Sequence, residues 1–216
     1  MRVKSEEILG RVLENNKVVA NFEWALQLCY EHKTMKNFIY MNQINIQYYK
    51  TKVGEFILGS FNSKLCMLDW RYRKMRTTID NRIRNGLKAE YVENGDELIG
   101  EAIEQLDEFL RGDRRRFDIP LLMVGTEFQK SVWNALVKVP YGYTSTYLQL
   151  AENANNKKAV RAVASANGAN AISLIIPCHR IIGSNGELVG YAGGLPVKKR
   201  LLELEKSGNE QYSFNW

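Results

Sequence analysis

The sequence predicts an α+β fold, with a small sheet and a helix in its first half and a mostly helical second half. Three observations carry that reading. Residues 44–48 (Ile-Asn-Ile-Gln-Tyr) alternate apolar and polar side chains like a half-buried strand. Residues 56–61 and 65–68 are apolar runs flanking Asn62-Ser63-Lys64, the pattern of a hairpin. Beyond Pro120 the apolar spacing turns helical, and strands followed by helices make α+β.

Residues 1–43 read as a helical extension. Ser5 is placed to cap a helix on which Ile8, Leu9, Val12 and Leu13 share a face, and residues 22–30 are apolar-rich. No role is assigned to it. A helix is predicted over residues 96–110, where Leu98, Ile99, Ala102, Ile103, Leu106 and Leu110 fall on one side and Gly112 stands near the stop. A charged connector, residues 111–116, then leads to Pro120. The domains are accordingly drawn as 1–43, 44–119 and 120–216.

In the last of these, Ser145 or Thr146 can cap a helix through Tyr147, Leu148, Leu150 and Ala151. Asn153, Asn155 and Asn156 mark a turn, and a second helix starts near Lys157, giving a helix-turn-helix pattern. On the second helix Val160, Val163 and Ala164 face protein, while Lys158, Arg161, Ala162, Ser165 and Ala169 face outward. Reading base edges in the major groove takes long polar side chains. A surface of Ala and Ser suits close approach to a minor groove instead. Residues 174–176 read as a buried strand ending at Pro177, which cannot donate to a sheet ladder. Residues 181–189 read as a hairpin around Ser184-Asn185-Gly186. Residues 197–206 read as a helix that puts Glu205 on the apolar face of Leu201 and Leu202. A carboxylate there needs a partner, and Lys198 is a local one.

The composition is ordinary for a globular protein: 216 residues, 45% hydrophobic and 25% charged. No apolar stretch approaches the roughly 20 residues of a membrane span, and the first residues lack the apolar core of a signal peptide. Cys29, Cys66 and Cys178 are odd in number and widely spaced. That argues against a disulfide framework and for a reducing compartment, cytoplasmic or, in a eukaryote, nuclear. Cys29, His32 and Cys66 have ligand-like character, but the only other histidine is His179, so no metal and no cofactor are expected. Net charge is +6. Its placement is pointed: Lys157, Lys158, Arg161, Arg180, Lys198, Lys199 and Arg200 face one acid, Glu187, which favours a polyanionic partner.

The most informative run is Pro177-Cys178-His179-Arg180, a thiol beside an imidazole and a guanidinium. Nearby cations lower a thiol's pKa from about 8.5, which is how a cysteine becomes a nucleophile. Upstream lie Gly125-Thr126-Glu127-Phe128-Gln129, Val132-Trp133, Pro140-Tyr141-Gly142 with Tyr147, and Arg161-Ala162-Val163. Downstream lie Tyr191-Ala192-Gly193-Gly194-Leu195 and the helix reaching Glu205. In this order the motifs resemble those of the O6-alkylguanine-DNA alkyltransferases, strongly over residues 118–206 and more thinly over 44–117.

The resemblance implies a ribonuclease H-like first domain, a winged helix-turn-helix-like second domain, and a monomer bound to double-stranded DNA. It implies repair by irreversible, single-turnover transfer of a methyl or other alkyl group from O6 of guanine to Cys178. O4-methylthymine is a second candidate lesion. Glu205 would orient His179, which would take the Cys178 proton through a water. Tyr147 would turn the flanking phosphate and donate a proton to the departing base. Arg161 would fill the stack left by the flipped nucleotide, with Lys158, Ala162, Ser165 and Arg180 on the DNA-binding side. Asn170 would brace the active-site turn, although Ala171 stands where the family often has Pro. Tyr191, Ala192, Gly193 and Gly194 would wall the guanine pocket. Ser173 stands where some relatives carry a Pro that packs against bulky O6 substituents, so weaker selectivity for benzyl adducts is expected. The alternatives are a non-catalytic lesion sensor of the same fold, a cysteine hydrolase built on Cys178, His179 and Glu205, and a transcription factor.

Overall fold

Asn62 and Ser63 both adopt positive φ, 49° and 55°. This is the two-residue turn whose twist matches that of antiparallel strands. It joins β2 (Gly54–Phe61) to β3 (Lys64–Trp70), and β1 (Gln43–Thr51) pairs antiparallel on the other side of β2. The structure, a computed structural model, describes residues 42–210, with side chains through residue 206. The helical extension expected over residues 1–43, and with it Cys29 and His32, lies outside the described residues.

The expectation of a small antiparallel sheet needs one correction. A helix, α1 (Arg76–Leu87), returns the chain so that β4 (Glu90–Glu93) lies parallel to β1, and the strand order is β3-β2-β1-β4. Neither α1 nor β4 was legible: the helix is mostly polar, and Ile79 and Ile83 are its only buried residues. Those two pack on one sheet face with Ile44, Ile46, Ile57 and Met67. The opposite face carries α2 (Glu97–Arg111), whose Ile99, Ala102, Leu106 and Phe109 pack with Phe56, Leu58, Leu65 and Leu68. Asp96 caps α2 by accepting from Ile99 N at 2.9 Å, and its other oxygen accepts from Asn45 and Ser60.

Downstream, α3 (Glu127–Val137), α4 (Tyr147–Asn153) and α5 (Val160–Gly168) pack around Val132, Trp133, Leu136, Leu150, Ala151, Val163 and Ala166. The motif beginning at Gly125 has a plain physical content. A Cβ on Gly125 would lie 2.5 Å from the Trp133 ring. Thr126 and Gln129 form a reciprocal capping box, and Trp133 Nε1 donates to Ala166 O at 2.8 Å, tying α3 to α5. Thr146 and Gln149 repeat the box at the start of α4.

β3 is an edge strand, and its open side is covered. Leu65 exchanges hydrogen bonds with Pro120 O and Leu122 N, and Leu68 does so with Ala171 O and Ser173 N. An exposed edge invites pairing with any available strand; here the segment leading to Cys178 supplies it. That segment is not the expected strand. Leu174 takes φ 71°, the hydrogen bonds are Ile175 N to Ser173 O and Ile176 N to Ile172 O, and the path is a tight turn. Nor do residues 181–189 form a hairpin: β6 (Ile181–Ile182) pairs in parallel with β5 (Ser145–Thr146), and residues 183–187 make a turn closed by Gly183 N to Glu187 O. The last described element is α6 (Leu195–Glu210).

Asp96→Ala removes a helix cap and leaves Asn45 and Ser60 without their acceptor. It is expected to lower unfolding free energy by about 1–3 kcal/mol, read from urea denaturation.

Candidate active site

Pro177, at φ −81° and ψ 62°, sits in a three-residue turn closed by Cys178 N to Ile176 O at 2.8 Å. Cys178 then opens a single 3₁₀ turn, Cys178–Arg180. The turn is braced by Asn170, whose amide donates to Ile176 O at 2.8 Å while its carbonyl oxygen accepts from Ile172 N at 2.9 Å. Ala171, where the family often has Pro, accepts through its carbonyl from Leu68 N.

Cys178 is 5% exposed, and burial raises its thiol pKa, against the lowering influence of Asn170, Arg73 and Lys198. This reverses the expectation drawn from its neighbours in sequence. The Arg180 guanidinium does not reach the thiol; it is spent on Glu205. At rest the thiol holds its proton, so a base is required.

Glu205 is fully buried. Its oxygens meet His179 Nε2 at 2.7 Å, Arg180 Nε and Nη2 at 2.9 and 3.0 Å, and Gly142 N at 3.1 Å. Burial alone would raise the carboxyl pKa, but the His179 and Arg180 contacts overcome it and hold the group at about 2. An ionised carboxylate can only accept, so His179 Nε2 carries the proton. Burial lowers the His179 pKa more than Glu205 raises it, so the ring is neutral near pH 7 and Nδ1 presents a lone pair. Nδ1 is buried with no protein partner among the described residues. The local alternative, a Glu205–Lys198 bridge, is not formed: Lys198 donates instead to the carbonyls of Ile181, Val189 and Gly190.

Family comparison places this geometry. Residues 44–123 match the ribonuclease-like domain of 6-O-methylguanine DNA methyltransferase, and residues 127–207 match its DNA-binding domain. A methylated-DNA–protein-cysteine methyltransferase of Methanosarcina barkeri is 41% identical over 158 residues, covering 73% of this chain and 94% of that one. The chain belongs to the O6-methylguanine DNA methyltransferase family. A second relative of the same description, from Mycobacterium leprae, is 43% identical over 157 residues, covering 71% and 87% of the two chains. Among solved structures, that of the Mycobacterium tuberculosis OGT in complex with DNA is similar with a TM-score of 0.64 at 35% identity, covering 77% and 94%.

Cys178 opens into a cavity of about 670 Å³. Tyr147, Asn170, Tyr191, Ala192, Gly193 and Gly194 all line it. The two glycines are explained in part by packing. A Cβ on Gly193 would meet the Trp70 ring at 2.5 Å, and Gly194 takes φ 87°. Burial raises the Tyr147 pKa, and Cys178 raises it further, so the phenol is protonated at neutral pH. Ala164 and Gly168 of α5 border the cavity, and on the same helix Arg161, Ala162 and Ser165 are exposed, with Lys158 just before it. Ala169, expected outside, is buried.

The basic segment is less available than its composition implied. Arg180, expected among the DNA contacts, is buried, with Nη1 on Val139 O at 2.6 Å and the rest on Glu205. Lys198 is fully buried, and Lys157 pairs with Glu152 at 2.7 Å. Ser173 also departs from expectation. It is fully buried, its hydroxyl donates to Asp69 at 3.2 Å, and it is not among the residues that line the cavity. Sequence reasoning missed Arg73, Lys74 and Tyr72, which form part of the cavity wall from the sheet side. The available signal was Asp69, an acid inside an apolar strand, with Arg73 four residues on.

Glu205 titrates near 2 in the fold against an ordinary 4.5, so the stability it confers is complete above pH 4.5 and lost as pH falls toward 2. The melting-temperature advantage of the protein over Glu205→Gln is therefore expected to shrink steadily between those values in a pH series of thermal melts.

Proposed function

We propose that this chain repairs DNA by accepting the alkyl group of O6-alkylguanine on Cys178, once per molecule. The observation that carries the reading is the thiol at the cavity wall, with a neutral His179 fixed behind it by an ionised Glu205. The duplex meets the exposed small face of α5, and Arg161 occupies the stack as the damaged nucleotide rotates into the cavity. His179 Nδ1 takes the thiol proton through a water, the sulfur attacks the alkyl carbon, and the bond from that carbon to O6 breaks. Tyr147 supplies a proton to the departing guanine. The product is a thioether, so the protein is consumed. A reducing compartment such as the cytoplasm keeps the thiol available, and no helix among the described residues is long and apolar enough to cross a membrane.

Intact-protein mass spectrometry after incubation with O6-methylguanine duplex is expected to show one added methyl per chain and then no further change. Cys178→Ser should remain unmodified. Continued turnover, or methylation of that variant, would overturn the reading.

Arg161 is exposed and forms no ion pair among the described residues. Arg161→Ala is expected to slow repair of duplex DNA at least tenfold more than reaction with the free O6-alkylguanine base, because a free base needs no flipping; a rough figure, given the few kcal/mol that unstacking costs. Equal losses on the two substrates would assign Arg161 to the chemistry or the fold.

A further inference from the structure

Asp69 and Arg73 stand at the end of the edge strand β3 and just beyond it, in the half of the chain that carries none of the motif residues. Both are buried, at 0% and 7% exposure. Arg73 Nη1 contacts the two Asp69 oxygens at 2.9 and 2.8 Å and also donates to Asn170 O at 2.8 Å. Its Nη2 donates to Gly168 O, at the end of α5. Asp69 is in turn held by Arg76 at 3.0 Å and by the Ser173 hydroxyl at 3.2 Å. One planar guanidinium thus grips the carbonyls at both ends of the short link from α5 to Asn170, and Asn170 braces the turn that presents Cys178.

We propose that Arg73, oriented by Asp69, is a positioning residue for alkyl transfer: it sets Asn170, and through Asn170 the Cys178 turn, from the sheet side of the molecule. A surface ion pair would do no such thing, since exposed pairs are mobile and screened. This one is buried, its donors are committed to backbone carbonyls, and the fork geometry that spans two acceptors is particular to Arg. Arg73 also lines the cavity beside Cys178. The inference rests on the function proposed above for its second readout only.

The test uses the full chain with Arg73→Met and Arg73→Lys. The first readout is the pH dependence of Cys178 reaction with iodoacetamide, which needs no DNA. The groups facing the thiol are Asp69, Arg73, Lys198, Tyr147 and Tyr191, with His179 adjacent in sequence, and only Arg73 changes. The profile is expected to move to higher pH in Arg73→Met. The second readout is the rate of methyl transfer from O6-methylguanine duplex, expected to fall on the order of tenfold to a hundredfold, the scale of a misplaced nucleophile. Arg73→Lys keeps the charge but cannot span both carbonyls, so it should fold, keep most of the iodoacetamide profile and still lose transfer rate. Folded variants with unchanged profile and unchanged rate would overturn the proposal. Loss of folding in both variants would overturn it too, by assigning Arg73 to the fold. A parent protein that takes no methyl from DNA, together with a shifted profile in Arg73→Met, would refute the proposed function and leave Arg73 as the residue that sets the thiol.

Discussion

Glu205 is a carboxylate with no exposure, and everything around the thiol is arranged by what it takes to keep that charge buried. Desolvating an ion costs several kcal/mol, recovered only when its lone pairs are filled with good geometry. Here they are filled by an imidazole, a guanidinium and a backbone amide. The donors come from two separate turns, and the acceptor from a helix. His179 and Arg180 belong to the 3₁₀ turn of Cys178, Gly142 to the turn before α4, and Glu205 itself to α6. Arg180 extends the clamp to Val139 O at the end of α3. Satisfying one buried charge therefore fixes the relative positions of the turn, two helix ends and the imidazole. It also fixes the tautomer, because Nε2 must donate and Nδ1 is left as the base.

The sheet contributes from the other side. β3 would be an exposed edge, and covering it requires a segment with unpaired amides and carbonyls. Ala171 and Ser173 provide them, which pulls the Cys178 turn against the sheet, and Trp70 at the same end packs on Gly193 and edge-on to Tyr191. The cavity is in this sense built from both halves of the chain, although the motifs lie in one.

What was legible in the sequence follows from which interactions are local. The α2 boundaries were readable because Asp96 and Gly112 are local start and stop signals and the apolar stripe is unbroken. The start of α4 was readable because the capping box closes within three residues. Glu205 stood out because a charge on an apolar helix face demands a distant partner. By contrast, the path of residues 170–176 is set by Asn170 and by the edge of β3, a hundred residues away, so an apolar run resembled a strand. Arg180 and Lys198 looked like surface cations for the same reason: the groups that bury them, Glu205 and the carbonyls of Ile181 and Val189, are brought in by tertiary folding. Charge counted along a sequence overstates the charge offered to DNA when part of it neutralises the core.

A thiol held protonated by burial at first looks wrong for a nucleophile. It follows from a site that can be used only once. A free thiolate reacts with oxidants and stray electrophiles in proportion to its ionised fraction and exposure. Cys178 limits both, at 5% exposure and with a raised pKa. In the proposed mechanism the proton leaves toward His179 Nδ1, the ring nitrogen left free by the Nε2 contact with Glu205, and the sulfur gains a partner when a base fills the cavity. In that mechanism reactivity is conditional on the arrival of the substrate, and burial keeps the cysteine protonated until then.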